Sequence, residues 1–522
     1  MFLAAVAAVL SAALACGAAE TNKAILPGWG KYFWNQKSMW YIHPPAFDFT
    51  NVTGAVRYRY RVIDDAHRLF EFMSPKPTES LEPVWTKLPP KGMVTVICHG
   101  VDAKGADCAL AGRPRTFWKN APFDPAKCAK GKRSYGEAAR RTYDYIFSLP
   151  CIQVLIDTGK PDFTYRLNCY PTKMNARIVS AAIRYAELKP ETKDRAMAIA
   201  RAAADYLISV SEPEGSPLAG FTPTYAKGNV NYTAGKYAGQ NMLVYPADAG
   251  SSFLRLHKVT GEAKYLAAAK RIADTYLRLQ GEDGTWYLKM WEKDGKPVNP
   301  NRLMPLGVCD FLMSLEKATG EKRYGEAADR AFAFVEKGPL ENWNWEGQFE
   351  DVDPTGLYKN LTKHPACSTA MYLLRRYPDD AAMRAKAREL LRFSEDQFVA
   401  WERPCRKDGV TMNHREPDGK NAASWPIFPT VMEQYKWYVP TDSSVAKMIR
   451  TYLAFYKAEK SPLDLAKAKA LGDACTRAQR DSGRIPTQWM AGSYMTDPQQ
   501  DWLNCMLATA DALEALAGVD GK

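Results

Sequence analysis

Two periods of hydrophobic alternation divide the chain. In Val56, Tyr58, Tyr60 and Val62 the apolar positions alternate with Arg57, Arg59 and Arg61. Successive side chains of a strand face opposite ways, so this run predicts a strand with one buried and one charged face. Val94 to Ile97 and Arg115 to Trp118 read as further strands, and together they predict a small antiparallel β-sandwich over residues 47–125. Ahead of it, Trp29, Tyr32, Phe33, Trp34, Trp40 and Tyr41 crowd an arm over 20–46. Packing of these rings against the main body is the expectation, above a role in lining a sugar site.

From Ser134 onward the period becomes helical and the pattern repeats. The segment Thr260 to Tyr265 (TGEAKY) returns 59 residues later as Thr319 to Tyr324 (TGEKRY). Each opens an amphipathic helix; in the first, Tyr265, Ala269, Ile272 and Tyr276 share one face. Equivalent helices start near Tyr135, Ala196, Tyr265, Tyr324, Met383 and Leu465. A second set interleaves near Met174 to Leu188, Ala247 to Val259, Met304 to Ala318, His364 to Tyr377, Ser443 to Ala458 and Asp501 to Ala517. Links from this second set into the next repeat helix are tight, as at Lys189 to Thr192, whereas the links back are long and rich in Gly, Pro and aromatics. In a ring of six helical hairpins the long links gather at one mouth, where function concentrates. The last helix would pair with the first and close the ring.

This organisation resembles the six-hairpin, (α/α)6-toroid enzymes, in which a β-sandwich often precedes the toroid. The resemblance covers residues 130–518 and rests on architecture more than on a signature motif. It implies a mainly α fold, a toroid of six helical hairpins behind a small antiparallel β-sandwich, and carbohydrate chemistry. Glucuronidases, unsaturated glucuronyl hydrolases and toroid polysaccharide lyases are the relatives it points to. The Asp-Ala-Gly-Asp motif of toroidal endoglucanases is not matched, because Asp248, Ala249 and Gly250 are followed by Ser251.

Charge narrows the partners. The 522 residues carry 70 Lys and Arg against 58 Asp and Glu, a net charge of +12. The surplus forms no basic block, which argues against nucleic acid and suits an acidic poly- or oligosaccharide. Phe2 to Ala15 is apolar and is followed by Cys16, Gly17, Ala18 and Ala19, which reads as a cleaved signal over 1–19 and a secreted or periplasmic product. Lipid anchoring through Cys16 is a weak reading, since Leu14 stands at the wrong place. No later stretch is apolar enough to cross a bilayer, so an integral membrane protein is not expected. Export permits disulfides among Cys98, Cys108 and Cys128 or between Cys151 and Cys169. With no CxxC pair and no His cluster of zinc-finger spacing, neither structural zinc nor a cofactor is expected, and calcium held by loop Asp and Asn residues is left open.

The candidate chemistry lies on the long links. Residues 341–353 bring Trp343, Trp345, Glu346, Glu350 and Asp351 within a dozen positions. Sugars need flat apolar faces to stack on and carboxylates to move protons, and this segment supplies both. Asp248 at a helix start is a further carboxylate, its alternative being a simple N-cap. Glu433, among Tyr435, Trp437 and Tyr438, is a second general-acid candidate, because aromatic neighbours desolvate a carboxyl and raise its pKa. The expected catalytic set is Glu346, Glu350, Asp351, Asp248, Glu433 and His364. Trp343, Trp345, Tyr170, Lys173, Asn175, Trp286, Lys289, His414, Arg415 and Trp437 are expected to bind substrate, with Arg302, Arg415 and Arg484 as carboxylate clamps.

Carboxylates outnumber histidines on these links, so a glycoside hydrolase acting on uronic-acid glycans ranks first. A polysaccharide lyase or an epimerase, using Tyr170, Lys173, Asn175 and His364, ranks second. A non-catalytic glycan-binding protein is the third reading, since stacking aromatics alone would satisfy it.

Overall fold

The computed structural model describes residues 34, 37–38, 40–228, 232–354, 356–403 and 425–520. The signal over 1–19, most of the aromatic arm, His414 and Arg415 lie outside the described residues. The chain forms two compact units, one of Met1–Lys130, Asn342–Glu346 and Leu357–Ala474, the other of Gly131–Glu341, Gly347–Gly356 and Cys475–Lys522.

The first unit opens with eight strands, β1 Trp40–Tyr41, β2 Ala46–Asp48, β3 Arg57–Asp64, β4 Leu69–Ser74, β5 Thr78–Ser80, β6 Gly92–Val101, β7 Asp107–Leu110 and β8 Arg115–Lys119. Six of them form one sheet in the order β1-β8-β6-β3-β4, with β7 on β6, while β2 and β5 make a separate two-stranded ribbon. The pairing is antiparallel as expected, except that β1 runs parallel to β8. Tyr58, Tyr60 and Val62 are buried and the arginines of β3 face outward, where Arg61 meets Glu71 at 2.7 Å. Phe47 of the ribbon packs on Phe117 of the sheet, 5.7 Å between ring centres, and this supplies the second layer.

The same unit holds α8 Lys363–Arg376, α9 Ala381–Phe398, α10 Asp442–Glu459 and most of α11 Pro462–Ala478. The described end of its arm packs inward. The amides of Ile42 and His43 donate to Asp396 of α9 at 2.8 and 3.0 Å, and Trp40 stacks on Tyr438 at 4.8 Å.

The second unit holds α1 Tyr135–Phe147, α2 Pro171–Leu188, α3 Lys193–Ser209, α4 Tyr245–Thr260, α5 Ala263–Leu279, α6 Leu306–Thr319, α7 Lys322–Lys337 and α12 Leu503–Asp520, with a ribbon of β9 Gln240–Met242 and β10 Lys289–Trp291. The pairs α2–α3, α4–α5, α6–α7 and α12–α1 pack as hairpins here, as α8–α9 does in the first unit, where a two-residue link joins α10 to α11. Five packed helix pairs and a sixth joined by a short link are therefore present among the described residues. The Thr-Gly-Glu repeat proves to be a helix-to-helix turn: Gly261 and Gly320 each donate back to the preceding helix at 2.7 Å, and Thr260 and Thr319 accept from the Glu two residues on at 3.2 Å.

A second repeat escaped the sequence reading. Gly284, after α5, lies against Arg330 of α7, and Gly483, after α11, lies against Arg141 of α1; both have positive φ. A Cβ at either would stand about 2 Å from the facing backbone oxygen, so only glycine lets one hairpin close on the next. Gln280 and Gln479 sit four residues earlier, and each spans to a carbonyl of the neighbouring helix, Ala327 or Ala138, at 2.8 and 2.7 Å.

The disulfide expectation is corrected. Cys98, Cys108 and Cys151 carry free thiols, so neither a bridge between Cys98 and Cys108 nor one from Cys151 to Cys169 is made. Among the described residues no helix is long and apolar enough to cross a membrane, and no group of three or more His, Cys, Asp and Glu could hold a metal ion.

Candidate active site

The second unit gathers one dense cluster around Glu350. Its side chain is 2% exposed. Lys173, in the first turn of α2, donates to one carboxylate oxygen at 2.5 Å, and the Tyr245 phenol at the start of α4 donates to the other. Tyr225 donates to the Glu350 carbonyl at 2.6 Å, so both the side chain and the backbone of this residue are fastened. Burial alone would raise the Glu350 pKa, but the Lys173 ammonium and the two side-chain hydrogen bonds outweigh it and hold the group below its ordinary value. Burial, followed by the Glu350 charge, raises Tyr245 and Tyr225, which therefore stay protonated as donors.

An aromatic bed lies beneath. Tyr170 stacks on Trp502 at 5.7 Å, and the Lys173 ammonium stands 4.1 Å from the Trp502 ring centre. Tyr225 stacks on Tyr237 at 5.2 Å, with the Lys289 ammonium 4.1 Å from the Tyr237 ring. Leu167, Cys169, Met174 and Ala234 complete the apolar packing under these rings.

Two carboxylates beside this cluster reach solvent. Asp351 follows Glu350 in the chain and Asp248 lies in the first turn of α4; both side chains are exposed. Protein surrounds much of the Asp351 carboxyl even so, and this desolvation, with the Glu350 charge next in size, raises its pKa. Asp248 is near enough to add to the upward shift of Tyr245. Glu350 itself cannot act as a general acid, because it is ionised, enclosed and fully engaged.

Several expected residues take interior roles. Lys289 is fully buried and ion-paired to Asp353 at 2.6 Å, Trp286 is fully buried with its indole donating to the Tyr276 carbonyl, and Asn175 donates to the Pro171 carbonyl. All three are enclosed, with these groups turned to partners within the protein. Arg302 is engaged by Asp283 at 2.8 Å, and Arg484 by Asp501 at 2.5 Å.

The first unit holds the remaining candidates. Trp343 and Trp345 are buried, Trp343 at 5.2 Å from Trp34 and 5.7 Å from Phe393, so these rings pin the segment and offer no stacking face. Glu346 is 6% exposed and neither carboxylate oxygen has a hydrogen-bond partner, and burial pushes its pKa up to about 7. Glu433, Trp437 and His364 are half-buried. Glu433 accepts at its carbonyl from Thr362 and Lys363, at 2.7 and 2.9 Å.

Sequence reasoning missed Tyr225 and Tyr237 as members of the cluster. Each lies far along the chain from Glu350 and carries no local motif, so only tertiary contact reveals it.

No family model and no curated protein matches the chain. Solved structures do. A family 76 glycoside hydrolase from a bovine Bacteroides thetaiotaomicron strain is 12% identical, with 90% of this chain and 94% of that one covered and a TM-score of 0.47. Cellobiose 2-epimerase from Spirochaeta thermophila is 13% identical over 73% and 98%, TM-score 0.48. An unsaturated glucuronyl hydrolase from Streptococcus agalactiae is 11% identical over 74% and 91%, TM-score 0.44. These are six-hairpin toroid enzymes. Likeness this distant assigns no reaction, and the chemistry must be argued from the residues.

Proposed function

We propose that the chain is a carbohydrate-active enzyme, a glycoside hydrolase in which Asp351 and Asp248 exchange protons with the substrate and the buried Glu350 keeps the Asp351 segment in place. The observation that carries this reading is the contrast at residues 350 and 351: one carboxylate is locked and ionised, and the next is exposed with a raised pKa. Neighbouring carboxyls driven apart in pKa are how one fold runs acid and base chemistry near neutrality. Asp248, at a helix N-terminus, is favoured in its ionised form and suits the base role.

A glycan containing uronic acid is supported by the net charge of +12 and by Lys173, whose side chain is 18% exposed above Trp502. The lyase reading is weaker, because its Tyr170 base is 3% exposed and burial, then Glu350, raises its pKa. A phenol held protonated abstracts no proton.

The test incubates the protein with uronic-acid oligosaccharides and follows reducing ends together with the ultraviolet absorbance of unsaturated uronates. Reducing ends without new absorbance, lost in Asp351→Asn and Asp248→Asn, support the proposal. New absorbance makes the protein a lyase. Binding without turnover makes it a glycan-binding protein.

A further inference from the structure

The β9–β10 ribbon carries a second concavity. Trp291 pairs with Gln240 across the ribbon, and the Glu292 amide donates to the Gly239 carbonyl at 2.9 Å. Beside this end lies a cleft of about 420 Å³ lined by Glu212, Lys227, Gly239, Trp291, Glu292 and Lys293. That volume lies within the range of small-ligand sites. None of its side chains takes part in the cluster around Glu350.

Its chemistry is balanced. Glu212 is 8% exposed and pairs with Lys227 at 3.3 Å, and the Lys293 ammonium stands 5.7 Å from the Trp291 ring centre. Glu292 is half-buried; burial, then the Glu212 charge, pushes it up to about 7, with Lys227 offsetting only part. Two carboxyls and two ammoniums thus surround one indole. A uronate would bring a third negative charge against the glutamates, and an amino sugar would bring a third ammonium against the lysines. Sugar hydroxyls donate to carboxylates and accept from ammoniums, so they satisfy both, while the apolar face of a pyranose ring fits the indole.

We propose that this cleft is a subsite for an uncharged pyranose residue of the glycan, stacked on Trp291 and held through its hydroxyls by Glu212, Lys227 and Glu292. The proposal rests on the reading of the chain as a carbohydrate-active enzyme and adds to it the class of a second sugar. Trp291 is two residues from Lys289 on one strand, about 7 Å along it. Lys289 covers Tyr237, Tyr237 stacks on Tyr225, and Tyr225 binds the Glu350 carbonyl, so packed rings join the cleft to the acidic segment. A mixed glycan, with a uronate beside Lys173 and a neutral residue here, satisfies both sites.

The test is isothermal titration of the Asp351→Asn protein with cellotetraose, mannotetraose and tetragalacturonate. At least one neutral tetraose binds; Trp291→Ala weakens it about tenfold, Trp291→Phe restores most of the affinity, and the shape-preserving Glu292→Gln also weakens it. Tetragalacturonate affinity does not change in these variants. The proposal is overturned if no neutral tetraose binds, if Trp291→Ala and Glu292→Gln bind as tightly as their parent, or if tetragalacturonate weakens in parallel. Full turnover in Asp351→Asn would sink the hydrolase reading while leaving the cleft to be judged by binding alone.

Discussion

Replacing Glu350 with glutamine keeps the shape of the side chain and removes its charge. The carboxylate side chain is 2% exposed and takes hydrogen bonds from Lys173 and Tyr245. In Glu350→Gln the Tyr245 donor can keep a partner, but the Lys173 ammonium loses its counter-ion over the rings of Tyr170 and Trp502. Breaking a buried ion pair from one side costs about 3 to 5 kcal/mol, and the remaining hydrogen bond argues for the lower end. We expect a loss of about 3 kcal/mol at pH 7, more than a hundredfold in the folding equilibrium, read by urea denaturation. The folded pKa of Glu350 is depressed, so its contribution is complete above the unfolded value of about 4.3 and is lost as the pH falls through the folded value. The gap between wild type and variant therefore closes below about pH 4. Adding Lys173→Met removes the stranded ammonium, so the double variant should regain part of the loss. A single variant within about 0.5 kcal/mol of wild type at pH 7, or a gap that widens in acid, would refute the keystone role.

Other substitutions separate chemistry from architecture. Asp351→Asn should lower turnover by at least about a hundredfold without lowering the urea midpoint at pH 7, since burial and the Glu350 charge already disfavour the ionised carboxylate. Glu346 has a raised folded pKa, so its contribution is present below about pH 4 and is lost as the pH rises through about 7. Glu346→Gln should therefore match wild type at pH 4 and exceed it by up to about 3 kcal/mol at pH 8, and equal stability at both would contradict the burial argument. Arg484→Lys should cost about 2 kcal/mol, because Arg484 also binds the carbonyls of Met495, Thr496 and Asp497, and should leave the Michaelis constant for a uronate substrate unchanged. A rise in that constant would return Arg484 to the binding site.

Most of the helices were legible because they have one apolar face. Tyr135, Ala139, Tyr143 and Ile146 of α1, like Tyr265, Ala269, Ile272 and Tyr276 of α5, are buried at helical spacing. The charged face of β3 was legible for the matching reason at period two. Two things were not. The parallel attachment of β1 depends on a partner nearly eighty residues away, and nothing in Trp40 and Tyr41 encodes its direction. At the candidate site, composition singled out the acidic segment but could not rank its carboxylates. Glu350 and Asp351 are alike in sequence, and Lys173 and Tyr245 separate them from far along the chain. For Trp286, Trp345 and Lys289, aromatic or basic character on a long link suggested a sugar site, whereas burial fixed an interior role.

The pairing of α1 with α12 bears on synthesis. Tyr135, Ala138, Ala139 and Ile146 of α1 leave the ribosome early, and α2 can shelter only part of that face, through contacts such as Tyr143 with Tyr185. The partner helix begins at Leu503, some 370 residues later. At about 5 to 20 residues per second, roughly 20 to 70 s pass before it emerges. During that interval the nascent chain displays an apolar helix face without its mate.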